Sequence, residues 1–227
     1  MYWYDFQGLM FLIPALLLSL IAQIVLKATY SKYSKVPSAT GMTGFAAARR
    51  ILDAAGLYNV QIEQISGDLT DHFDPKVNVL RLSSGVYQSS TVAAIGVAAH
   101  ECGHAMQYAE DYGPMKLRGA LVKSTNISSS LSFIVVLLGL FFGIVEIAWV
   151  GVILFGVVVF FQLVTLPVEF NASRRAVAVL EGYLPAEENK GVRKVLTAAA
   201  MTYVAALAGA ILQLLRLITL VSGSRRR

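Results

Sequence analysis

Charged residues are missing from four stretches of the chain, 6–26, 124–145, 147–168 and 195–215, and collect in the segments between them. Each stretch is apolar and long enough to cross about 30 Å of hydrocarbon as a helix. Between the first and second stretches the rhythm changes. Residues 43–55 place Phe45, Ala48, Ile51 and Leu52 at helical spacing, with Thr43 as a cap and Gly56 as a stop. Residues 60–65 alternate apolar and polar, as a half-buried strand does, and 77–82 form a second strand candidate. The run Gly-Asp-Leu-Thr-Asp-His-Phe-Asp-Pro at 67–75 is turn-rich. From Val92 to Met106 the residues are mostly small and apolar, without proline, which predicts a buried helix capped by Thr91 or Ser90 and closed over 108–114.

The pattern predicts a mainly α membrane protein of about four transmembrane helices, with a small α+β unit sewn into it. The segments are an N-terminal anchor (1–29), a polar part containing the buried helix (30–123), a transmembrane hairpin (124–168), a short helical segment (169–194), and a fourth span with a basic tail (195–227). The fourth stretch is alanine-rich. Ala205 and Gly209 stand at a small-xxx-small spacing that suits close helix packing. It reads as a span rather than as a helix lying against the other three.

Composition agrees. Hydrophobic residues make up 56% of the chain and charged ones 15%, against about 25% in soluble domains. The first stretch reads as a retained anchor: Asp5 precedes it, no basic region leads it, and no small-x-small cleavage site follows. The net charge of +5 comes from 19 Lys and Arg against 14 Asp and Glu. The cations flank the spans: Lys27, Lys32 and Lys35; Lys116, Arg118 and Lys123; Arg174 and Arg175; Arg193 and Lys194. If every span crosses, all of these lie on one side, which the positive-inside rule makes the cytoplasm. Arg225, Arg226 and Arg227 then fall on the other side, against the rule. No basic-aromatic interleaving points to nucleic acid. A single cysteine, Cys102, excludes an internal disulfide.

The chemistry sits at 98–107, Ala-Ala-His-Glu-Cys-Gly-His-Ala-Met-Gln. His100 and His104, two of only three histidines, are four residues apart. On a helix that spacing puts both imidazoles on one face, where they can bind one zinc ion, with Glu101 between them able to reach a zinc-bound water. A structural histidine pair is the bland alternative, but burying His, Glu and His together is costly unless they are paired or metal-bound. Cys102 points well away from the histidine face and reads as a small buried side chain.

A catalytic zinc usually takes three protein ligands and a water. No third histidine follows at the metzincin spacing, since 107–110 are Gln, Tyr, Ala and Glu. The candidates are His72, Asp71, Asp74, Glu110, Asp111, Glu146, Glu169 and Glu181. Glu146 lies in the turn between the second and third spans, across the membrane from His100. Glu169 is placed best, because the hairpin returns the chain to the side it left. The segment from Leu166 to Ala176 reads as starting a new helix, with Glu169 in its first turn. A carboxylate at that depth needs a partner; a zinc ion, or Arg174 or Arg175, would supply one.

With these pieces in place, the chain resembles the neutral zinc metallopeptidase family of bacterial membrane proteins, the YugP-like group. The matching segments are Gly-Asp-Leu-Thr-Asp-His-Phe-Asp-Pro (67–75), Leu-Arg-Leu-Ser (80–83), the motif at 98–107, Leu-Pro-Val-Glu-Phe-Asn-Ala-Ser-Arg-Arg-Ala (166–176) and Leu-Thr-Ala-Ala-Ala-Met-Thr-Tyr-Val-Ala (196–205). That family is similar in layout to gluzincin membrane proteases of the HtpX and CAAX prenyl protease kind, which also place a membrane hairpin between the two histidine ligands and the glutamate ligand. The resemblance implies His100, His104 and Glu169 as ligands of one Zn2+ per chain, Glu101 as catalytic base, and a zincin-like catalytic unit. In the wider superfamily an Asp four residues after the ligand Glu supports a ligand His. Here that position is Ser173, whose hydroxyl gives less electrostatic support, and Asn171 is a candidate to share the role.

In related metalloproteases the strand preceding the metal helix is the edge that binds substrate backbone. This expectation would put 77–82 at the edge and His72 near the cleft, as a catalytic oxyanion contact or as a turn histidine bonded to Asp71 or Asp74. Arg174 and Arg175 are rival contacts for an oxyanion or carboxylate, but read rather as cations that solvate the helix or pair with headgroups. Asp71 and Asp74 read as turn caps rather than holders of a second cation. The expected function is a membrane-embedded zinc endopeptidase of the inner membrane, with its site facing the cytoplasm and acting on a peptide or membrane-protein substrate. The same features allow association with the lipid bilayer, with further copies of the chain or with other membrane proteins. A non-proteolytic zinc-binding scaffold is the competing class, against which the retained Glu101 speaks. A zinc hydrolase of another amide or ester is a third reading.

Overall fold

The computed structural model describes residues 2–224, with side chains from Gly8 onward; the tail Arg225–Arg227 and the side chain of Asp5 lie outside the described residues. Seven helices and three strands follow in order: α1 (Tyr2–Tyr33), α2 (Gly44–Ala54), β1 (Gln61–Ile65), β2 (His72–Asp74), β3 (Val79–Ser83), α3 (Ser84–Tyr87), α4 (Val92–Ala109), α5 (Gly113–Phe141), α6 (Val145–Leu180) and α7 (Ala186–Ser224). The protein is a mainly helical membrane protein with a small α+β unit. Four segments are long and apolar enough to cross a membrane, Gly8–Tyr33, Gly113–Phe141, Val145–Leu180 and Ala186–Ser224. The fourth charge-free stretch therefore lies within a helix of spanning length.

One compact unit comprises, among the described residues, 2–23, 117–166 and 202–224. Its small core is Val136, Ala148, Val152, Leu217 and Val221. Glycines let α5 and α6 touch backbone to backbone. A Cβ at Gly151 would stand 2.7 Å from the Ser132 carbonyl oxygen, and one at Gly139 would strike the Ala148 backbone. The second charge-free stretch overran its helix: α5 stops at Phe141, and Gly143, at φ +71°, makes the turn. Glu146 lies in the first turn of α6, where the helix dipole favours an acid.

The second unit comprises residues 24–116 and 167–201. Thr43 caps α2 by accepting from Ala46 N–H at 3.2 Å. One face of α2, with Ala47, Ala48, Ile51 and Leu52, packs into a core shared with Leu80, Leu82, Ile95, Ala98, Ala99 and Cys102. Thr91 caps α4, accepting from Ala94 N–H at 3.4 Å.

The sheet order is β1-β3-β2, with β1 parallel and β2 antiparallel to β3. Three sequence expectations change here. The turn-rich segment ends in a real strand, β2, because Phe73 buries its ring in the core and gives three residues a reason to pair. The next strand begins at Val79 rather than Val77, since 75–78 form the turn. Lys76 N–H bonds Asp74 Oδ1 at 3.0 Å, and Asn78 takes φ +56°. And β3 is the central strand, with both edges paired, so the strand nearest the metal helix in sequence is not an edge; β1 and β2 are.

A further difference concerns Pro167. No helix starts there; α6 runs unbroken from Val145 to Leu180. Proline costs the helix one N–H bond, but its fixed φ is helical. Val168, Ala172, Ala176 and Leu180, spaced by four, are all buried at 2% exposure or less, and this packed stripe carries the helix past it.

Candidate metal centre

Helix α4 presents His100, Glu101 and His104 to α6, which presents Glu169. The Glu169 carboxylate oxygen Oε2 lies 3.2 Å from His100 Nε2 and 3.6 Å from His104 Nε2. The two imidazoles stand edge to face, 4.8 Å apart at their centroids and inclined by 85°. Glu169 is only 2% exposed, His104 7% and Glu101 8%. A close approach of the helices makes this possible: a Cβ at Gly103 would stand 2.7 Å from the Ala172 carbonyl oxygen, so no larger residue fits without a shift.

The donor set fits zinc. With ligand bonds near 2.1 Å, two ligand atoms of a tetrahedral site are roughly 3.4 Å apart, and the observed 3.2 and 3.6 Å bracket that value. Glu101 also offers a carboxylate oxygen, within 4.8 Å of both imidazoles. Two acids thus compete for the third ligand position. Glu169 is nearer, and Glu101 Oε2 already accepts the Phe73 N–H of β2 at 3.1 Å.

The far nitrogens of both imidazoles are held. His100 Nδ1 meets Ser173 Oγ at 3.2 Å, and His104 Nδ1 meets Gln107 Oε1 at 3.0 Å. Gln107, fully buried, donates from Nε2 to the Val168 carbonyl at 2.8 Å and to Asn171 Oδ1 at 2.9 Å. Asn171 Oδ1 also accepts Arg175 Nε at 2.7 Å, and Arg175 forms a two-pronged pair with Glu110 at 2.7 Å on each prong. Among the described residues Asn171 therefore hydrogen-bonds neither histidine and supports His104 through Gln107. The sequence reading missed Gln107. Its signal was there: it lies three residues beyond His104, on the same helix face, inside an apolar run where an amide needs partners.

Burial pushes the Glu101 carboxyl above the usual range, against the nearby imidazoles. Burial lowers His104, but its bond to Glu169 and the charge of Glu101 prevail and leave it raised. Burial likewise pushes up the Cys102 thiol, which donates to the Ala48 carbonyl at 3.6 Å, away from the histidines.

The remaining candidates are occupied elsewhere. Asp71 accepts from Ser83 N–H at 2.7 Å, Asp74 pairs with Arg81 at 2.9 Å, Asp111 with Lys116 at 2.7 Å and Glu181 with Arg193 at 3.7 Å. His72 is exposed, with Nδ1 bonded to the Thr70 carbonyl at 2.8 Å. Alternation along β2 turns its side chain to the face opposite Phe73, so the structure does not bring it to the histidine pair. Arg174 is exposed beside a cavity of about 320 Å³ that Ser173 and Glu181 also line. Among the described residues it makes no hydrogen bond to His100, His104 or Glu169.

Residues 8–222 match the model of a family described as "Putative neutral zinc metallopeptidase". The "Putative membrane protease YugP" of Bacillus subtilis (strain 168) is 47% identical over 215 residues, which cover 94% of this chain and 96% of that protein. No solved structure matches.

Proposed function

Because the chain belongs to this neutral zinc metallopeptidase family, we propose that it is a membrane-embedded zinc endopeptidase of gluzincin type, with one Zn2+ per chain. The observation that carries the reading is the approach of Glu169 Oε2 to both histidine Nε2 atoms, with Glu101 beside them. His100 Nε2, His104 Nε2 and Glu169 would hold the ion. When bound, zinc supplies Lewis acidity that polarises a carbonyl and makes water a better nucleophile near neutral pH.

The residues do the rest. Glu101 accepts a proton from the attacking water as its oxygen adds to the scissile carbonyl carbon, and returns that proton to the amine as the C–N bond breaks. Its burial favours this role, since a base works best with a pKa near the working pH. The Phe73 N–H steers its carboxylate. Ser173 and Gln107 fix the orientation of the two imidazoles through Nδ1, which would leave their Nε2 atoms available to hold the ion.

The substrates are peptide bonds of membrane-associated proteins. Cations beside the spans favour the inner membrane with the site facing the cytoplasm, and nucleic acid plays no part. Assembly with further copies or with other membrane proteins is compatible with the exposed apolar helices. The test is purified protein carrying Glu101→Gln or Glu169→Ala, assayed for zinc and for cleavage of membrane-protein substrates. Glu101→Gln should keep zinc and lose cleavage, and Glu169→Ala should lose both. Stoichiometric zinc in Glu169→Ala would sink the ligand assignment, and cleavage by Glu101→Gln would favour a zinc-binding scaffold with a contaminating protease.

A further inference from the structure

A groove of about 590 Å³ lies between α1 and α7 within the second unit, and none of the residues lining it belongs to the histidine site. Its size is that of a ligand site, on the order of 300–1,000 Å³. Lys32, Arg193 and Lys194 line it, together with Val25, Ala28 and Met201. Three cations therefore face one recess whose wall is apolar. Arg193 has one carboxylate at a distance, Glu181 at 3.7 Å, and both side chains are well exposed. Among the described residues neither Lys32 nor Lys194 forms a close ion pair, although the charge of Lys194 is felt by Glu187. Lys32 instead lies 5.6 Å from the centroid of the Tyr33 ring.

The groove sits where two apolar runs end. The charge-free run on α1 stops at Leu26, shortly before Lys32, and that on α7 begins at Val195, directly after Arg193 and Lys194. Both helices change from hydrocarbon-compatible to basic at this groove, as chains do at the headgroup level of a bilayer. The helices are held together there: Gly191 leaves room for Tyr33, whose Cε1 would stand 2.8 Å from a Cβ at that position. A tyrosine at such a level has its ring in apolar surroundings and its hydroxyl toward water.

From these observations the geometry points to a binding site for an anionic glycerophospholipid, its phosphate held by Lys32, Arg193 and Lys194 and its acyl chain laid along Val25, Ala28 and Met201. Cations clustered between membrane helices recognise acidic headgroups, each contributing about fivefold in affinity near the surface. The apolar wall separates this ligand from a free phosphate, which has nothing to place there. The site is independent of the proposed peptidase reading.

The experiment uses the full chain in neutral detergent, with phosphatidylglycerol, phosphatidylcholine or sodium phosphate added, and reads bound ligand by native mass spectrometry. The wild type should prefer phosphatidylglycerol over phosphatidylcholine by about tenfold or more. The triple variant Lys32→Gln, Arg193→Gln, Lys194→Gln should lose that preference, and Lys116→Gln with Lys123→Gln, which removes cations elsewhere, should keep it. Ala28→Trp, which fills the apolar wall and keeps every charge, should weaken phosphatidylglycerol binding as well. The site is wrong if the folded triple variant binds phosphatidylglycerol within about twofold of wild type, if the Lys116 and Lys123 control weakens it equally, or if sodium phosphate displaces the lipid as strongly as phosphatidylglycerol itself does. Should the triple variant not fold, Ala28→Trp decides: undiminished phosphatidylglycerol binding overturns the proposal.

Discussion

Gln107 Oε1 faces Nδ1 of His104 at 3.0 Å, and the orientation of the amide is set from the other side. The Val168 carbonyl, 2.8 Å from Nε2, can only accept, so the NH2 group must point at it and the oxygen at the imidazole. His104 then carries its proton on Nδ1 and offers Nε2 toward Glu169. Removing the amide in Gln107→Leu leaves a buried Nδ1–H, the Val168 carbonyl and Asn171 without this partner. Zinc affinity should fall by about 10- to 100-fold, and stability by about 1–3 kcal/mol. Chelator competition and thermal unfolding measure the two effects; zinc affinity within about twofold of wild type would show that the amide does not position the ligand.

Ser173 plays the matching role for His100, but on different terms. Its Oγ lies 3.2 Å from His100 Nδ1, and it is only half-buried. Water can stand in for a lost hydroxyl there, as it cannot beside the enclosed Gln107. Ser173→Ala should therefore lower zinc affinity by about tenfold or less, a smaller loss than that of Gln107→Leu. A carboxylate at the same place would make the imidazole more basic, so Ser173→Asp should tighten zinc retention. Isothermal titration of the three proteins orders them; a larger loss for Ser173→Ala than for Gln107→Leu would reverse the assignment of support.

These two residues also mark what the sequence made legible. The spans were plain because a charge inside hydrocarbon is expensive, so its absence over a whole stretch is a strong signal. The histidine pair and Glu169 were visible because helical spacing and a returning hairpin fix which groups can meet. Gln107 was less visible, since a glutamine in an apolar run states a need for partners without saying which. The sheet was the least legible part. Strand β2 is three residues long, and its place beside Glu101 depends on the Phe73 N–H, a backbone group that no side-chain pattern announces. Pro167 misled in the opposite direction. Its local rule breaks helices, and the stripe through Val168, Ala172, Ala176 and Leu180 that overrides it acts through tertiary packing.

The spacing of the two helices is itself open to test at Gly103. An added Cβ would meet Ala172 O at 2.7 Å and Ala172 Cα at 3.1 Å, both backbone atoms that cannot turn aside. Relief requires α4 and α6 to part, which carries His100 and His104 away from Glu169. Gly103→Ala should cost about 1–3 kcal/mol and weaken zinc binding, despite the better helix propensity of alanine. Gly113, where an added Cβ meets nothing within 4 Å, supplies the control: Gly113→Ala should leave both properties as they are. Equal behaviour of the two variants in thermal unfolding and zinc titration would show that the helices have slack.

The outermost link in the support of His104 is the pair of Glu110 with Arg175, and it gives the fold a pH signature. Hydrogen bonds from the Arg175 guanidinium hold the Glu110 carboxyl below its usual pKa. The folded pKa is depressed relative to the unfolded one, so folding favours the ionised form. The pair's contribution is thus fully present above the ordinary carboxylate range and is lost as pH falls through the depressed value. Both side chains are partly open to water, 23% for Arg175 and 57% for Glu110, so salt screens the pair and its effect is small. Wild type should melt above Glu110→Gln at neutral pH and low salt, and the gap should close both on acidification below the carboxylate range and on raising the salt. Glu110→Gln should also loosen Arg175 from Asn171 and so lower zinc affinity, but by less than Gln107→Leu, because Asn171 keeps its bond to Gln107. A melting gap that widened on acidification would mean that the carboxyl is raised rather than depressed, and that the pair does not brace the site.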